Sequence, residues 1–463
     1  MQGVALCRLV RRVGQTRGLP SVWPACTVMA PAGTRSAYTW KRKPPLTKVV
    51  ATIGPVSENA ETLQRVVDEG VRVMRVNFSH ATYEEADLRL KNLRASRGKN
   101  NAALGGEAAF NLRAFLLDTQ GPEIRTGNLS GGGTISLVAG GKIELTTDER
   151  AREEGTSSRL FVNYKGLAND LGVGSKVLLD DGLVSLHVTE LLPKGVMCCI
   201  ENSGVLKSRR GVNLPGTKVD LPALSKKDKA DIVYGVRNDV DFVAASFVRK
   251  PSDLHDIRSF IEAEHAKVWP TSHPSPRIVA KIENMEAVDN FKEILELSDG
   301  IMVARGDLGV EVPAEQVTNI QKKLVSRECN RVGKPVIVAT QMLESMQSNP
   351  RPTRAEVSDV TNAVYDGADA VMLSGESAQG KYPVESVFMM RRIIDEAESW
   401  KETHQELVLP TANIVRSGSC QNEGIASAAV HAAHTLGAKA IVVLTKDGLL
   451  PRLVAKYRPR VPV

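Results

Sequence analysis

The sequence has no apolar stretch long enough for a membrane-spanning helix. Such a helix needs about 20 residues, and the longest apolar runs, such as residues 438–444, are far shorter. With 42% hydrophobic and 24% charged residues among 463, the composition also excludes a disordered or fibrous chain. At ~100–200 residues per domain, the length allows two to four domains or one large barrel with attachments.

Acidic residues are missing from the start of the chain, where none occurs before Glu58. Residues 1–43 carry eight Lys and Arg, so the net charge of +7 belongs to them and the remainder carries −1. A nucleic-acid or membrane partner is therefore not expected. Residues 1–43 have the composition of an organellar transit peptide, so we predict a disordered or targeting extension on a cytoplasmic, mitochondrial or plastid protein.

Several motifs with defined chemistry are absent. The six cysteines form no C-x-x-C pair and have no zinc-finger spacing with His. The sequence contains neither the G-x-S-x-G turn of a serine hydrolase nor the G-x-x-x-x-G-K-[ST] loop of a P-loop nucleotide-binding protein. The cysteine usage is typical of a reducing compartment, in which thiols act as small apolar side chains.

What the sequence does have is an alternation of short β-branched runs and amphipathic helices. The eight runs are residues 48–53, 71–76, 115–118, 242–245, 278–282, 300–304, 336–339 and 370–373. Apolar strands that alternate with helices indicate a parallel α/β sheet, and eight such units close a (β/α)₈ barrel. One helix is predicted to open at Pro313 and to end at Gly333.

The alternation is interrupted after the third strand. Residues 121–222 are Gly-rich, and turn signals such as Asp181-Gly182 separate their alternating stretches. We predict an inserted all-β domain, a β-barrel lid, within a catalytic barrel formed by residues 44–120 and 223–400. The helices resume after Ser225, a suitable N-cap.

Residues 401–463 predict a third domain. The pattern indicates helices over residues 425–436 and 450–457 and a strand over residues 440–444. A single strand with its two helices cannot bury the apolar faces of these elements, so we expect a partial C-terminal α/β domain.

Polar and ionisable residues follow seven of the predicted strands, at the end of a barrel where chemistry gathers. Lys281 and Glu283 are two residues apart, so their side chains point to the same side of an extended segment. Glu283 and Asp307 follow neighbouring strands and could converge as magnesium ligands. Gly306 would let backbone amides approach an anion.

Other residues at the same strand ends suggest further ligands. Arg75, Arg125 and Lys281 could surround a phosphate group. Four oxygen-bearing residues with at most one charge suit a weakly bound monovalent cation; these are Asn77, Ser79, Asp118 and Thr119. Arg210 is either half of a solvated pair with Arg209 or a nucleotide contact, and His80 is better explained as a core or capping residue than as a catalytic base.

Two reaction classes fit this set of residues. One is phosphoryl transfer, and the other is a metal-dependent aldolase or lyase that acts on a 2-keto acid. The inserted domain favours phosphoryl transfer, because a lid that excludes water suppresses competing hydrolysis.

From Lys48 onward, about nine-tenths of the chain, the sequence resembles the pyruvate kinase family. The motifs that carry the resemblance are TKVVATIGP (47–55), RVNFSH (75–80), LDTQGPEIRTG (117–127), VAKIEN (279–284), MVARGDLG (302–309), ATQMLES (339–345), PRPTRAE (350–356) and MLSGE (372–376). The resemblance implies transfer of a phosphoryl group from phosphoenolpyruvate to ADP, giving pyruvate and ATP, with Mg²⁺ (or Mn²⁺) and K⁺ as cofactors.

The resemblance also implies a role for each matching residue. Lys281 and Arg75 would contact the transferring phosphoryl group, and Thr340 would act near the enolate. The implied ligand sets are Glu283 and Asp307 for Mg²⁺; Asn77, Ser79, Asp118 and Thr119 for K⁺; Gly306, Asp307, Thr340 and Lys281 for the substrate; and Arg75, His80 and Arg210 for the nucleotide. Glu123, where some members have Lys, goes with K⁺ dependence.

The chain departs from the family pattern in several places. Gln120 stands where Lys is usual. In residues 445–450, the hydroxyl groups of a sugar-phosphate loop are missing after Thr445, and Asp447 would repel a phosphate group. Control by a sugar bisphosphate is therefore not expected. The resemblance implies a homotetramer if the C-terminal domain is complete, and a non-catalytic truncated subunit remains the alternative.

Overall fold

The computed structural model of the chain describes residues 45–97, 113–404 and 420–463. Thr47–Ala397 forms one compact unit, and Glu398–Val463 forms a second with the described residues before Thr47. The basic extension over residues 1–43 lies outside these ranges, and its targeting role and the exact domain limits stay predictions. No described helix is both long and apolar enough to cross a membrane.

The larger unit is built on a closed barrel of eight parallel strands. The described strands are, in chain order, β1 (Lys48–Thr52), β2 (Val71–Asn77), β3 (Ala114–Asp118), β4 (Ile135–Leu137), β5 (Lys142–Thr146), β6 (Arg159–Phe161), β7 (Lys176–Leu179), β8 (Val184–Leu192), β9 (Gly195–Ile200), β10 (Gly204–Leu206), β11 (Val212–Asn213), β12 (Phe242–Ala245), β13 (Arg277–Ile282), β14 (Gly300–Ala304), β15 (Val336–Ala339) and β16 (Ala370–Leu373). The barrel order is β1-β16-β15-β14-β13-β12-β3-β2. All eight predicted barrel strands are found to within one residue at either end, and the predicted barrel fold is confirmed.

Helices follow the barrel strands and cover them. The described helices are α1 (Ala60–Asp68), α2 (Tyr83–Ala95), α3 (Leu167–Asp170), α4 (Lys226–Arg237), α5 (Pro251–Val268), α6 (Met285–Asp289), α7 (Phe291–Leu297), α8 (Arg305–Glu311), α9 (Ala314–Lys322), α10 (Asn330–Val332), α11 (Arg354–Asp366), α12 (Gly375–Ala378), α13 (Pro383–His404), α14 (Cys420–Thr435) and α15 (Leu449–Lys456). A π-helical turn, Lys323–Cys329, joins α9 to α10. The helix predicted between Pro313 and Gly333 is therefore one continuous helical run.

Local sequence signals explain where these helices begin and end. Ser225 caps α4 as predicted, because its side chain accepts from the Asp228 N–H while the Asp228 carboxylate accepts from the Ser225 N–H. Gly333 ends α10 at φ 74°, a left-handed conformation that glycine adopts without a steric cost. Both features bring the chain back to the barrel at defined positions.

The inserted segment after β3 is mostly sheet, as predicted. It has a six-stranded sheet in the order β11-β7-β8-β9-β5-β6 and a two-stranded sheet of β10 and β4. Single bridges connect both edges of the larger sheet to one segment, Arg125 to Gly211 and Thr126 to Val162. Only isolated bridges join these edges, so the β-barrel form of the inserted domain stays a prediction.

The C-terminal unit contains the two predicted helices, α14 and α15. Their contact buries an ionic group, in which the Glu423 carboxylate accepts from Lys456 Nζ and from Tyr457 Oη, both at 2.6 Å. The strand predicted over residues 440–444 is wrong. Val442 and Leu444 are about nine-tenths exposed (88% and 90%), and a strand forms only where a neighbour pairs with its backbone.

The packing around α1 generates a stability prediction. Leu63 on α1 is fully buried in the barrel core, whereas Leu88 on α2 is 43% exposed. We expect Leu63→Ala to lower the free energy of unfolding by about 2–5 kcal/mol, since it removes buried methyl groups and leaves a cavity. Urea unfolding followed by circular dichroism measures this, and Leu88→Ala is the control, with an expected loss below about 1 kcal/mol. Equal losses in the two variants would contradict this packing.

Candidate active site

The carboxyl ends of the barrel strands face a cavity of about 480 Å³ that the inserted domain also lines. Eight of the predicted site residues line it, namely Arg75, Asn77, Ser79, His80, Arg210, Lys281, Glu283 and Asp307. Asp118 and Thr119 are buried beside them and bond to lining residues. The structure therefore brings most of the predicted site residues together around one barrel mouth. Gly306 and Thr340 lie outside the cavity lining, although Gly306 directly precedes Asp307.

Asp118 lies between two cationic side chains. Its Oδ2 accepts from Arg75 Nε at 2.6 Å, and its Oδ1 lies 3.2 Å from Lys281 Nζ. Side-chain exposure is 1% for Asp118, 10% for Arg75 and 11% for Lys281. One carboxylate therefore fixes both cations at the cavity wall. The sequence suggested an oxygen ligand at this position, and its bridging contacts depend on three different strands.

This arrangement keeps Asp118 and Lys281 charged. Burial alone would raise the pKa of Asp118, but the charges of Lys281 and Arg75 outweigh it and hold that pKa below its usual value. Burial alone would lower the pKa of Lys281, yet the charges of Asp118 and Glu283 hold it above its ordinary value. Lys281 is thus a permanent buried cation, suited to stabilising negative charge rather than to moving a proton.

Ser246, at the end of β12, connects the same groups. Lys281 Nζ donates to Ser246 Oγ at 2.7 Å, and this hydroxyl lies 2.7 Å from the Thr119 carbonyl oxygen. The Ser246 N–H donates to Thr119 Oγ1 at 3.2 Å. The sequence predicts no role for Ser246, because a lone serine carries no signal of these contacts.

Glu283, which is buried, and Asp307, which is half-buried, form a pair of carboxylates in the cavity lining. Burial raises the pKa of Glu283, and the Asp307 charge adds to this effect while Lys281 opposes it. Burial also raises the pKa of Asp307, and the charge of Lys281 opposes this effect. Two such groups that share a buried position favour a proton or a cation between them.

The oxygens of Glu283 differ in their contacts. Oε2 accepts from the Phe247 N–H at 2.5 Å. Phe247 has a positive φ of 55°, a backbone conformation that directs its N–H toward Glu283. Oε1 lies 2.8 Å from Lys281 Nζ, its ion-pair partner. A buried carboxylate oxygen in this position, beside a second carboxylate, fits a hard divalent cation. The described residues contain no cluster of three or more His, Cys, Asp or Glu that could hold a metal, so water and substrate would complete the coordination.

The predicted monovalent-cation residues lie at adjacent ends of β2 and β3. Asn77 and Asp118 are register partners across these strands. Asn77 Oδ1 accepts from the Ser79 N–H at 3.0 Å, which orders the turn after β2. Thr119 Oγ1 is 3.2 Å from the Ala244 carbonyl oxygen, its hydrogen-bond acceptor. The pairing of the two strands thus brings all four residues to one place.

The inserted domain contributes a further charged group. Arg210 Nη1 lies 3.4 Å from Asp180 Oδ1, and its Nε is buried without a hydrogen-bond partner among the described residues. Arg125 pairs with Glu123, which lies two residues earlier in the same segment. Exposed His80 lies at the same mouth. Sequence reasoning missed Asp180, which follows β7 at φ 53°.

The loops after β14 and β15 fit closely together. A Cβ atom at Gly306 would lie 2.8 Å from Thr340 Cγ2, so only glycine fits there. Glu376, fully buried, accepts from the Leu343 N–H at 3.1 Å and from the Ser374 N–H at 2.7 Å. It therefore ties the loop after β15 to the loop after β16.

Together, these features define a (β/α)₈ enzyme whose mouth combines fixed cations, a carboxylate pair and an inserted sheet domain. Comparison with family models gives the same picture. The model of the pyruvate kinase barrel domain matches residues 44–387, and that of the pyruvate kinase alpha/beta domain matches residues 423–463. The chain belongs to the pyruvate kinase family of phosphotransferases.

Individual relatives agree over most of the chain. The chain is 46% identical to a pyruvate kinase of Bacillus licheniformis over 419 residues, which cover 90% of this chain and 68% of the relative. It is 47% identical to that of Geobacillus stearothermophilus over 425 residues, 91% of this chain and 68% of the relative. A crystal structure of a Cryptosporidium parvum pyruvate kinase superposes with a TM-score of 0.79 at 40% identity, covering 90% of this chain and 82% of that one.

The carboxylate pair generates a prediction about metal binding. Because Mg²⁺ would bind only the folded site, we expect it to raise the thermal midpoint of the protein. At a Mg²⁺ concentration 100 times the dissociation constant, binding adds about 2.7 kcal/mol to the free energy of unfolding. Glu283→Gln should remove most of that shift, which differential scanning fluorimetry measures. Glu293→Gln, an exposed position on α7, is the control and should keep the shift. A full Mg²⁺ shift in Glu283→Gln would contradict the assignment.

Proposed function

We propose that this chain transfers the phosphoryl group of phosphoenolpyruvate to ADP and thereby catalyses the last step of glycolysis. The phosphorus–oxygen bond of the enol phosphate breaks and a bond from the ADP β-phosphate oxygen to phosphorus forms. The enolate that leaves takes a proton at carbon and becomes pyruvate. The observation that carries the proposal is the charged group of Lys281, Asp118 and Arg75, held at the cavity wall beside two carboxylates.

Lys281 and Arg75 would act on the phosphoryl group itself. In a loose phosphoryl-transfer transition state, negative charge spreads over the equatorial oxygens. Cations that are already oriented stabilise that charge without reorganisation, and one such donor is worth about 10²–10³ in rate. Both side chains are oriented by Asp118, and Ser246 accepts from Lys281. Their fixed positions support this role.

Glu283 and Asp307 would hold Mg²⁺ (or Mn²⁺), which supplies counter-charge to phosphate and enolate oxygens when it is bound. The shared position of the two carboxylates in the cavity lining and the raised pKa values of both carboxyl groups support this assignment. Phe247 orients Glu283 through its N–H. The protein's own contribution is thus a pair of oriented carboxylates that repel each other until a cation is bound.

Asn77, Ser79, Asp118 and Thr119 would hold K⁺. Their donor atoms are oxygens with one formal charge in total, which suits a weakly held monovalent cation better than a divalent one. The adjacent ends of β2 and β3 bring the four residues together. Glu123, paired with Arg125 at the same mouth, supports K⁺ dependence because no lysine replaces the cation there.

Gly306, Asp307 and Thr340 would bind the carboxylate and enolate end of the substrate, together with Lys281. Arg75, His80 and Arg210 would face the nucleotide. Arg210 belongs to the inserted domain, whose residues form part of the cavity lining. That domain would exclude water during transfer, which prevents hydrolysis from competing.

A coupled assay with phosphoenolpyruvate, ADP, Mg²⁺ and K⁺ tests the phosphoryl-transfer role of Lys281. We expect Lys281→Met to lower kcat at least about 10²-fold, since it removes the oriented cation. Lys292→Met changes an exposed lysine on α7 and should leave kcat unchanged. Full activity of Lys281→Met would show that the site is assigned wrongly.

The lyase and the non-catalytic subunit are distinguished in the same assay. A metal-dependent lyase would release pyruvate from a 2-keto acid without any nucleotide, whereas the proposed reaction requires ADP. A folded chain that turns over neither substrate would be a non-catalytic subunit. The homotetramer expected from the family stays a prediction, which light scattering measures.

The monovalent cation generates a separate prediction. Activity should fall strongly when K⁺ is replaced by tetramethylammonium, which is too large for a site made of four protein side chains. Glu123→Lys should restore part of the lost activity, because the ammonium group supplies the missing charge. The control is Glu293→Gln, which should keep the dependence of the unchanged chain. Equal activity of the unchanged chain in both salts would contradict K⁺ dependence.

A further inference from the structure

We propose that Arg305 is a positioning residue that holds Thr340 in its working conformation beside Gly306 and Asp307. The inference rests on the proposed function, since it concerns the substrate end of that site. Arg305 is the first residue of α8 and does not line the cavity. Its guanidinium nitrogens donate to protein acceptors on β15, α9 and α11 and in the loop after β15, so it would act through these neighbours and not on the substrate.

Thr340 has a backbone conformation that it would not adopt unaided. Its φ is 76°, and that of Gln341 is 56°. A β-branched side chain at positive φ crowds its own backbone, so such residues persist only where surrounding contacts hold them. Strain of this kind concentrates at functional sites. Some group must therefore hold the loop after β15.

Arg305 makes the contacts that hold this loop. Its Nη2 donates to the Thr340 carbonyl oxygen at 2.7 Å, and its Nε donates to the Ala339 carbonyl oxygen at 3.2 Å. Two successive carbonyl groups are thus fixed by one planar guanidinium. Because the bonds involve the strained residue and the one before it, they fix the direction in which the chain leaves β15.

The guanidinium is itself fixed by two other helices. Asp359 on α11 accepts from Nη1 at 2.7 Å and from Nη2 at 2.6 Å, a bidentate pair. Gln321 on α9 places its Oε1 3.2 Å from Nη1 and donates to Asp366 at 3.0 Å. The Arg305 side chain is 13% exposed. A lysine could not make this set of bonds, because it lacks the planar fork.

The fit between Gly306 and Thr340 shows why this position matters. Thr340 Cγ2 lies against the α-carbon of Gly306, as the 2.8 Å approach of a hypothetical Cβ shows. If the Thr340 backbone relaxed to negative φ, its methyl and hydroxyl groups would move relative to α8. A misplacement of about 1 Å can cost about 10²-fold in rate. Arg305 therefore links the two loops that would bind the carboxylate and enolate.

A double-mutant cycle between Arg305→Lys and Thr340→Val tests this inference. Steady-state kcat, KM for phosphoenolpyruvate and KM for ADP are measured for both single variants and for the double variant. We expect Arg305→Lys to lower kcat/KM for phosphoenolpyruvate about 10- to 100-fold and to leave KM for ADP unchanged. If Arg305 acts through Thr340, the double variant should be no slower than the slower single variant.

The matched control is Arg258→Lys. Arg258 on α5 also donates to a backbone carbonyl, that of Leu297 at 2.8 Å, and pairs with Asp299 at 2.9 Å, away from the cavity lining. It should keep the kinetics of the unchanged chain. Asp359→Asn replaces Arg305→Lys in the cycle if the latter does not fold.

Multiplicative losses in the cycle, or unchanged kinetics of folded Arg305→Lys, would overturn the inference. These outcomes differ from failure of the proposed function. If the proposed function were wrong, the unchanged chain itself would not transfer a phosphoryl group from phosphoenolpyruvate to ADP.

Discussion

The site depends on one buried carboxylate that two cations share. Asp118 pairs with Arg75 at 2.6 Å and with Lys281 at 3.2 Å, and all three side chains are nearly buried. Buried charges are tolerated only when they are paired and hydrogen-bonded. Without Asp118, two cations would lie side by side at the cavity wall with only Glu283 and Asp307 nearby to balance Lys281. Asp118 contacts both Lys281 and Ser246, and Lys281 in turn contacts Glu283.

The positive-φ residues at the strand ends show a second constraint. Phe247 after β12 aims its N–H at Glu283, and Thr340 after β15 fits against Gly306. Each strained residue lies where a parallel strand ends and a loop must turn sharply toward the mouth. The closed barrel provides the rigid frame that holds such conformations. Rigidity of the barrel and precision of the site are therefore connected.

The sequence predicted the barrel well because its signals are local. Eight β-branched runs marked the strands, and the Ser225 cap marked the start of α4. It predicted the members of the site for the same reason, since they follow those strands. The bridge made by Asp118 could not be predicted, because it depends on the register between β2 and β3 and on their distance from β13.

The same reasoning explains the remaining differences. Residues 440–444 have the composition of a strand, yet strands form only with a paired neighbour. The strain at Thr340 gives no signal in the sequence, since threonine is common at strand ends. Arg305 lay inside a recognised motif, but its contacts reach Asp359, more than fifty positions away in the chain. Interactions between distant segments are therefore what the sequence alone could not show.

The kinetics of Asp118→Asn test the central claim most directly. The amide keeps the shape of the carboxylate and removes the charge that orients Lys281 and Arg75. At saturating K⁺ and Mg²⁺, kcat/KM for phosphoenolpyruvate should fall at least about 10²-fold, while circular dichroism shows a folded chain. A folded Asp118→Asn variant with the kcat/KM of the unchanged chain would contradict the account.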